Sequence, residues 1–154
     1  MEQNLESFLR QDAVAHFKQL EAHTPNTFGK MNVLQMLEHL AEWVSISSGK
    51  INFPLQTPED QLPKWKAFLL SDKEMRPNTP NNLISEIPLT ANSKNVEYAA
   101  NTIQKELNQF FDRFNGCELE TEMHPFFGPL NYEEWAVLHG KHLRHHLSQF
   151  DILV

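Results

Sequence analysis

Between residues 96 and 114 the apolar side chains recur at steps of four and three: Val96, Ala100, Ile103, Leu107, Phe110 and Phe114. That spacing gathers six apolar groups on one stripe of an α-helix and leaves the intervening polar residues to water. A helix with such a stripe needs neighbours to bury it. Three further segments carry helical periodicity, over residues 4–22, 33–48 and 132–150, and the segment at 96–114 is read as a helix over 94–114. The first shows Leu5, Phe8, Leu9, Ala13, Phe17 and Leu20 on one side. Asn115-Gly116 is a helix stop after the third. Glycines number five and hairpin turn signals are scarce. The expectation is an all-α domain spanning residues 1–154.

Two of the helices open with the same device. In MNVLQM, Asn32 can cap the helix while Gln35 reaches back to it; in LNYEEW, Asn131 and Glu134 do the same. These capping boxes fix two helix starts, and with them the register of everything that follows. Residues 51–92 are different. Six of the nine prolines fall here: Pro54, Pro58, Pro63, Pro77, Pro80 and Pro88. A short helix over residues 64–70 interrupts what otherwise reads as extended loop. A connection this long lets two consecutive helices run in the same direction. The order that follows is a four-helix bundle, up-down-down-up, with a Pro-rich crossover between helices two and three.

The formal charge of −7 and the lack of a Lys/Arg cluster argue against nucleic acid. No apolar run approaches a membrane span, and the start of the chain lacks the pattern of a signal peptide. The single cysteine, Cys117, makes no internal disulfide and reads as a free thiol. A cytoplasmic protein without a membrane partner is expected.

The stretch HGKHLRHH places four of the eight histidines in eight positions. At about 100° per residue, with His142 at zero, His146 falls near +40°, His139 near +60° and His145 near −60°. His142 and His146 point inward one turn apart, with His139 inward one turn earlier. His145 lies at an exposed edge, and Glu133, Lys141, Arg144 and Ser148 take the solvent face. Histidines at i and i+4 can offer two imidazoles to one metal. They can also be ordinary hydrogen-bonded core residues, but burying two rings without partners is costly.

The helix over 33–48 supplies the third ring in MLEHLAEW. His39 stands about 10 Å past its cap, and the His142/His146 pair about 9 Å from the far end of its helix. If the two helices are antiparallel, all three rings meet at one level. The crowding of His139 and His145 leaves open which pair on the last helix would bind.

These motifs resemble the DinB/YfiT-like metal-binding four-helix bundles. The resemblance rests on the histidine of MLEHL and on the pattern His-x-x-x-His-x-x-Gln in HLRHHLSQ. More closely, GKMNVLQMLEHL and HPFFGPLNYEEWAVLHGKHLRHHLSQF look like a small subgroup of that superfamily. The likeness extends over nearly the whole chain, with its specific motifs in helices two and four. It implies metal ligands at His39, His142 and His146, a divalent ion such as zinc or nickel, frequent homodimers, and in some relatives the use of low-molecular-weight thiols as co-substrates.

Three neutral histidines would leave an ion its full charge and an open position, the catalytic arrangement. The expected function is a metal-dependent transferase or hydrolase activating a thiol or water for a small-molecule substrate. The alternative is a non-catalytic bundle that holds a metal or small ligand. Glu42, one turn from His39, can orient that ring, accept a proton or act as a fourth ligand; Gln149, near −20°, can hydrogen-bond substrate or bound water. Trp43 and Trp135 read as core. His124, in EMHPFFGPL, reads as structural, in a rigid turn at the end opposite the metal.

Overall fold

Leu5, Leu9, Ala13 and Phe17 are spaced by four, and an ideal α-helix would carry such residues steadily around its axis. The computed structural model, which describes residues 3–75 and 91–154, shows how the chain avoids this. Helix α1 (Gln3–Ser7) passes into a π-helical turn (Phe8–Asp12), in which the Ala13 N–H reaches Phe8 O, and then into α2 (Ala13–Phe17). A π turn advances fewer degrees per residue. Leu9, Ala13 and Phe17 therefore all stay buried. The single helix expected over 4–22 is corrected to these three pieces, ending at Phe17.

Helix α3 (Val33–Ile46) begins at the expected cap. Asn32 Oδ1 accepts from Gln35 N and Gln35 Oε1 from Asn32 N, both at 2.9 Å. It stops two residues short of the expected 48. The hydroxyls of Ser45, Ser47 and Ser48 bond carbonyls three residues back, and Gly49 turns the chain at φ +80°. A 3-10 turn (Glu59–Gln61) leads into α4 (Leu62–Leu69), two residues earlier than expected, with Pro63 in its first turn. Pro77, Pro80 and Pro88, and the extended crossover read around them, lie outside the described residues.

Helix α5 (Val96–Phe114) carries the apolar stripe, with Ala100, Ile103, Leu107, Phe110 and Phe114 buried. Its start comes two residues later than expected because Asn95 caps it, accepting from Tyr98 N at 2.8 Å. An antiparallel hairpin, β1 (Glu122–His124) and β2 (Gly128–Leu130), pairs Met123 with Pro129. The fold is therefore mostly helical with a small sheet, which corrects the all-α expectation. Sequence patterning missed the hairpin because its turn is closed by a side chain: His124 Nδ1 accepts from Phe126 N (3.0 Å) and Phe127 N (3.1 Å). Helix α6 (Tyr132–Ser148) starts at the second capping box, with both Asn131–Glu134 bonds at 3.0 Å.

The buried apolar residues form one cluster drawn from α2 to α6 and the π turn, with Leu5 of α1 packed against it. Helix α3 is tied to the α5 side at two heights. Glu38 accepts the backbone N–H groups of Asn92 and Ser93 near the start of α5, and Lys50 Nζ meets Glu106 at 2.9 Å. It is tied to α6 at two heights as well, through Ser47 to His139 and through His39 to His142 and His146. Among the described residues no helix is long and apolar enough to cross a membrane.

Lys141 corrects the solvent face assigned to α6, since it is only 4% exposed. Its Nζ donates to Ser71 O (2.7 Å) and Lys73 O (2.5 Å), carbonyls just past α4, and more weakly to Phe68 O (3.4 Å) in its last turn. Burial lowers its pKa. A helical wheel of α6 cannot foresee that another helix ends against it. Lys141→Met should remove charge-assisted bonds of about 1.5–3 kcal/mol. At about 2–4 °C per kcal/mol, a thermal melt followed by circular dichroism should fall by several degrees.

Candidate metal centre

The two capping boxes set the phases of α3 and α6, and packing brings three imidazoles between them. The rings of His39 and His142 are 5.3 Å apart, those of His39 and His146 5.0 Å, and those of His142 and His146 4.8 Å. One nitrogen from each lies within 4.8 Å of the other two. His142 Nε2 and His146 Nε2 are 3.1 Å apart. Two nitrogens sharing one ion at bonds of about 2.0–2.1 Å and tetrahedral angles would be about 3.3 Å apart. The pair is already near that spacing, and His39 lies close enough to complete a set of three.

The rings are chemically suited to the role. Burial, with a smaller repulsion from His145, lowers His39 to about 4. Burial first, then repulsion from neighbouring imidazoles including His39, holds His142 and His146 well below the ordinary histidine range. All three are neutral at pH 7, the state in which an imidazole donates a lone pair. His39 Nδ1 is buried without a hydrogen-bond partner, a costly arrangement that an electron-pair acceptor would relieve. His39 and His142 remain partly exposed while His146 is buried, so the cluster is not sealed. The donor set, the spacing and the orphaned nitrogen fit a divalent ion of the zinc or nickel kind.

The other histidines separate clearly. His139 is buried, its Nε2 2.9 Å from Ser47 Oγ and its ring edge-on to Phe110; burial pushes it to about 3. Ser47 was not foreseen in the sequence and gives His139 a partner, which His39 Nδ1 does not have. His145 is half-buried against Phe28 rather than exposed as expected. Its ring centre is 5.0 Å from that of His146, but it lies outside the cluster of mutually close ligand atoms. His124 is buried and closes the hairpin. It also stacks on Trp43 at 5.4 Å, and Trp43 stands edge-on to His39 and His142. The hairpin is therefore one aromatic layer from the cluster, which corrects its expected place at the opposite end.

Of the two remaining candidates, Glu42 is exposed on α3, and its backbone carbonyl accepts from Ser45 Oγ at 2.5 Å. Gln149 is buried, and its Oε1 lies 2.7 Å from His146 Nδ1. Its carboxamide thus meets a ring of the triad and not, as expected of it, the open side where substrate or water would lie. Trp43 and Trp135 are buried as core. A surface groove of about 490 Å³ lies elsewhere, along Phe8, Asp12, His16 and Val154.

A family sequence model described as Protein of unknown function (DUF1569) matches residues 2–152. No curated protein and no solved structure matches the chain.

Proposed function

Because the chain belongs to the DUF1569 family, we propose its function from the site: a metal-dependent enzyme in which His39, His142 and His146 hold one divalent ion, zinc or nickel. The carrying observation is the convergence of three neutral imidazoles within 4.8 Å. An ion held by three uncharged donors keeps its +2 charge and lowers the pKa of a water or thiol that reaches it. The chain's own groups do the rest. Partial exposure of His39 and His142 leaves a way in. Trp43 closes the core side. Glu42, exposed on α3 and three residues past His39, would take up a proton released towards solvent. The reaction class is transfer of a low-molecular-weight thiol, or hydrolysis, with a small molecule as the second substrate.

The frame we infer is a DinB/YfiT-like four-helix bundle ordered up-down-down-up. In support, Glu38 meets the start of α5 while Lys50 meets its middle, as parallel helices would. His39 is level with His142 and His146 while Ser47 is level with His139, as antiparallel ones would be. A cytoplasmic homodimer belongs to the same proposal.

The second reading, a bundle holding its metal or a small ligand without catalysis, is favoured by the burial of His146 and by the aromatic layer of Trp43 and His124 packed against the triad. Metal analysis after dialysis against zinc and nickel should find one ion per chain. Thiol-transfer and esterase assays with electrophilic substrates should then give turnover that a chelator abolishes. One bound ion with no turnover in either assay would favour the second reading; no bound ion would sink both metal readings.

A further inference from the structure

Gln149 is held from three directions by the turn that precedes α3. Thr27 N and Thr27 Oγ1 both donate to its backbone carbonyl, at 2.6 and 3.1 Å. Asn26 Nδ2 braces the same turn from inside, donating to Gly29 O (3.3 Å) and Met31 O (2.8 Å). Gly29, at φ +87°, lies directly against the carboxamide: a Cβ there would come within 2.6 Å of Gln149 Nε2. The turn thus fixes the backbone of Gln149 and leaves one shaped space for its side chain. From that space Oε1 reaches His146 Nδ1 at 2.7 Å.

A carboxamide oxygen only accepts hydrogen bonds, so Nδ1 of His146 must carry the proton. The ring is neutral, and its Nε2 is therefore bare. That bare nitrogen is the one 3.1 Å from His142 Nε2.

We propose that Gln149, aimed by residues 26–31, fixes His146 as an Nε2 donor and is a positioning residue of the triad. The proposal rests on the three-histidine reading. It also makes a claim about the metal-free chain: Gln149 determines the His146 tautomer before any ion arrives. In that state His146 Nε2 is the acceptor, so His142 must donate through Nε2–H. An ion held by both Nε2 atoms would require the His142 proton to sit on Nδ1 instead, with no change in the net charge of the pair. Outer partners of this kind typically contribute 10–100-fold in metal affinity.

The test begins with ¹⁵N-labelled, metal-free protein. Two-bond ¹H–¹⁵N correlation spectra should show His146 as the Nδ1–H tautomer in the wild type. Gln149→Leu should lose that preference and weaken zinc binding 10–100-fold. Gln149→Glu, which keeps an acceptor, should restore both. Gly29→Ala leaves His146 and Gln149 in place but displaces the carboxamide, so it should shift the tautomer and the visible spectrum of the cobalt-loaded protein in the Gln149→Leu direction. It also guards against a Gln149→Leu chain that does not fold. An Nε2–H tautomer in the wild type, or unchanged tautomer and zinc affinity in Gln149→Leu, would overturn the proposal. If the wild type binds neither zinc nor cobalt, the metal reading falls, and the tautomer comparison alone decides whether the clamp exists.

Discussion

His142→Ala should abolish stoichiometric zinc binding, while His145→Ala leaves one ion per chain. The expectation follows from position on α6. His142 Nε2 is 3.1 Å from His146 Nε2, whereas His145 turns its ring to Phe28 and has no place among the mutually close donors. Loss of a direct ligand should exceed the 10–100-fold effect of losing an outer partner. The variant's dissociation constant should therefore rise by more than about 100-fold. The effect is also readable as stability. An ion present at 1,000 times its dissociation constant stabilises the folded chain by about 4 kcal/mol. At about 2–4 °C per kcal/mol, zinc should raise the wild-type melting temperature by roughly 10 °C and leave His142→Ala nearly unmoved. Without metal, the variant should melt somewhat below the wild type, because the alanine leaves His146 Nε2 without its partner; the zinc-induced shift, not the absolute melting point, is the readout. Full zinc occupancy in His142→Ala, measured by calorimetric titration, would remove this ring from the site.

Which parts of this were readable beforehand depended on whether the information was local. The capping residues Asn32 and Asn131 act within four positions of themselves, so the starts of α3 and α6 were legible to the residue. Once those starts are known, the wheel carries His39, His142 and His146 inward by arithmetic. His139 was legible as inward, but its partner was not, because Ser47 belongs to another helix. Lys141 and His145 were misplaced for a related reason. A wheel assigns solvent by default to any angle away from the apolar stripe, and α4 and Phe28 fill those angles through tertiary packing. Gln149 could be put on the right side of its helix, but not given its bond to His146. That bond depends on a turn more than a hundred residues away in the chain and on the space left by Gly29. The hairpin was hidden because its signal is a histidine ring accepting two backbone N–H groups, where sequence patterning looks for an Asn-Gly or Asp-Gly turn.

The same buried rings make the protein sensitive to acid. His124 and His139 are both pushed to about 3 by burial, while in the unfolded chain each would titrate near 6.5. Above pH 6.5 both states are neutral at these positions, and pH has no purchase on stability through them. Between pH 6.5 and 3 the unfolded chain binds protons that the folded chain refuses, so stability falls as pH falls; below about 3 the loss levels off. Each ring contributes about 1.4 kcal/mol per pH unit across that window. Two rings should remove about 3 kcal/mol between pH 6.5 and 5, a large part of the total stability of a typical domain. Burial holds His39, His142 and His146 neutral in the same way, so the metal-free chain should lose stability at least this steeply. Urea denaturation in chelator at pH 7, 6, 5.5 and 5 measures the slope directly. His139→Leu loses the bond to Ser47 and should be weaker at pH 7, yet its stability should fall less steeply below pH 6.5, by about 1.4 kcal/mol per unit. A wild-type stability that stays flat from pH 7 to 5 would mean that His124 and His139 take up protons in the folded chain, and that the core around them is more open than the packing of Phe110, Trp135 and Trp43 implies.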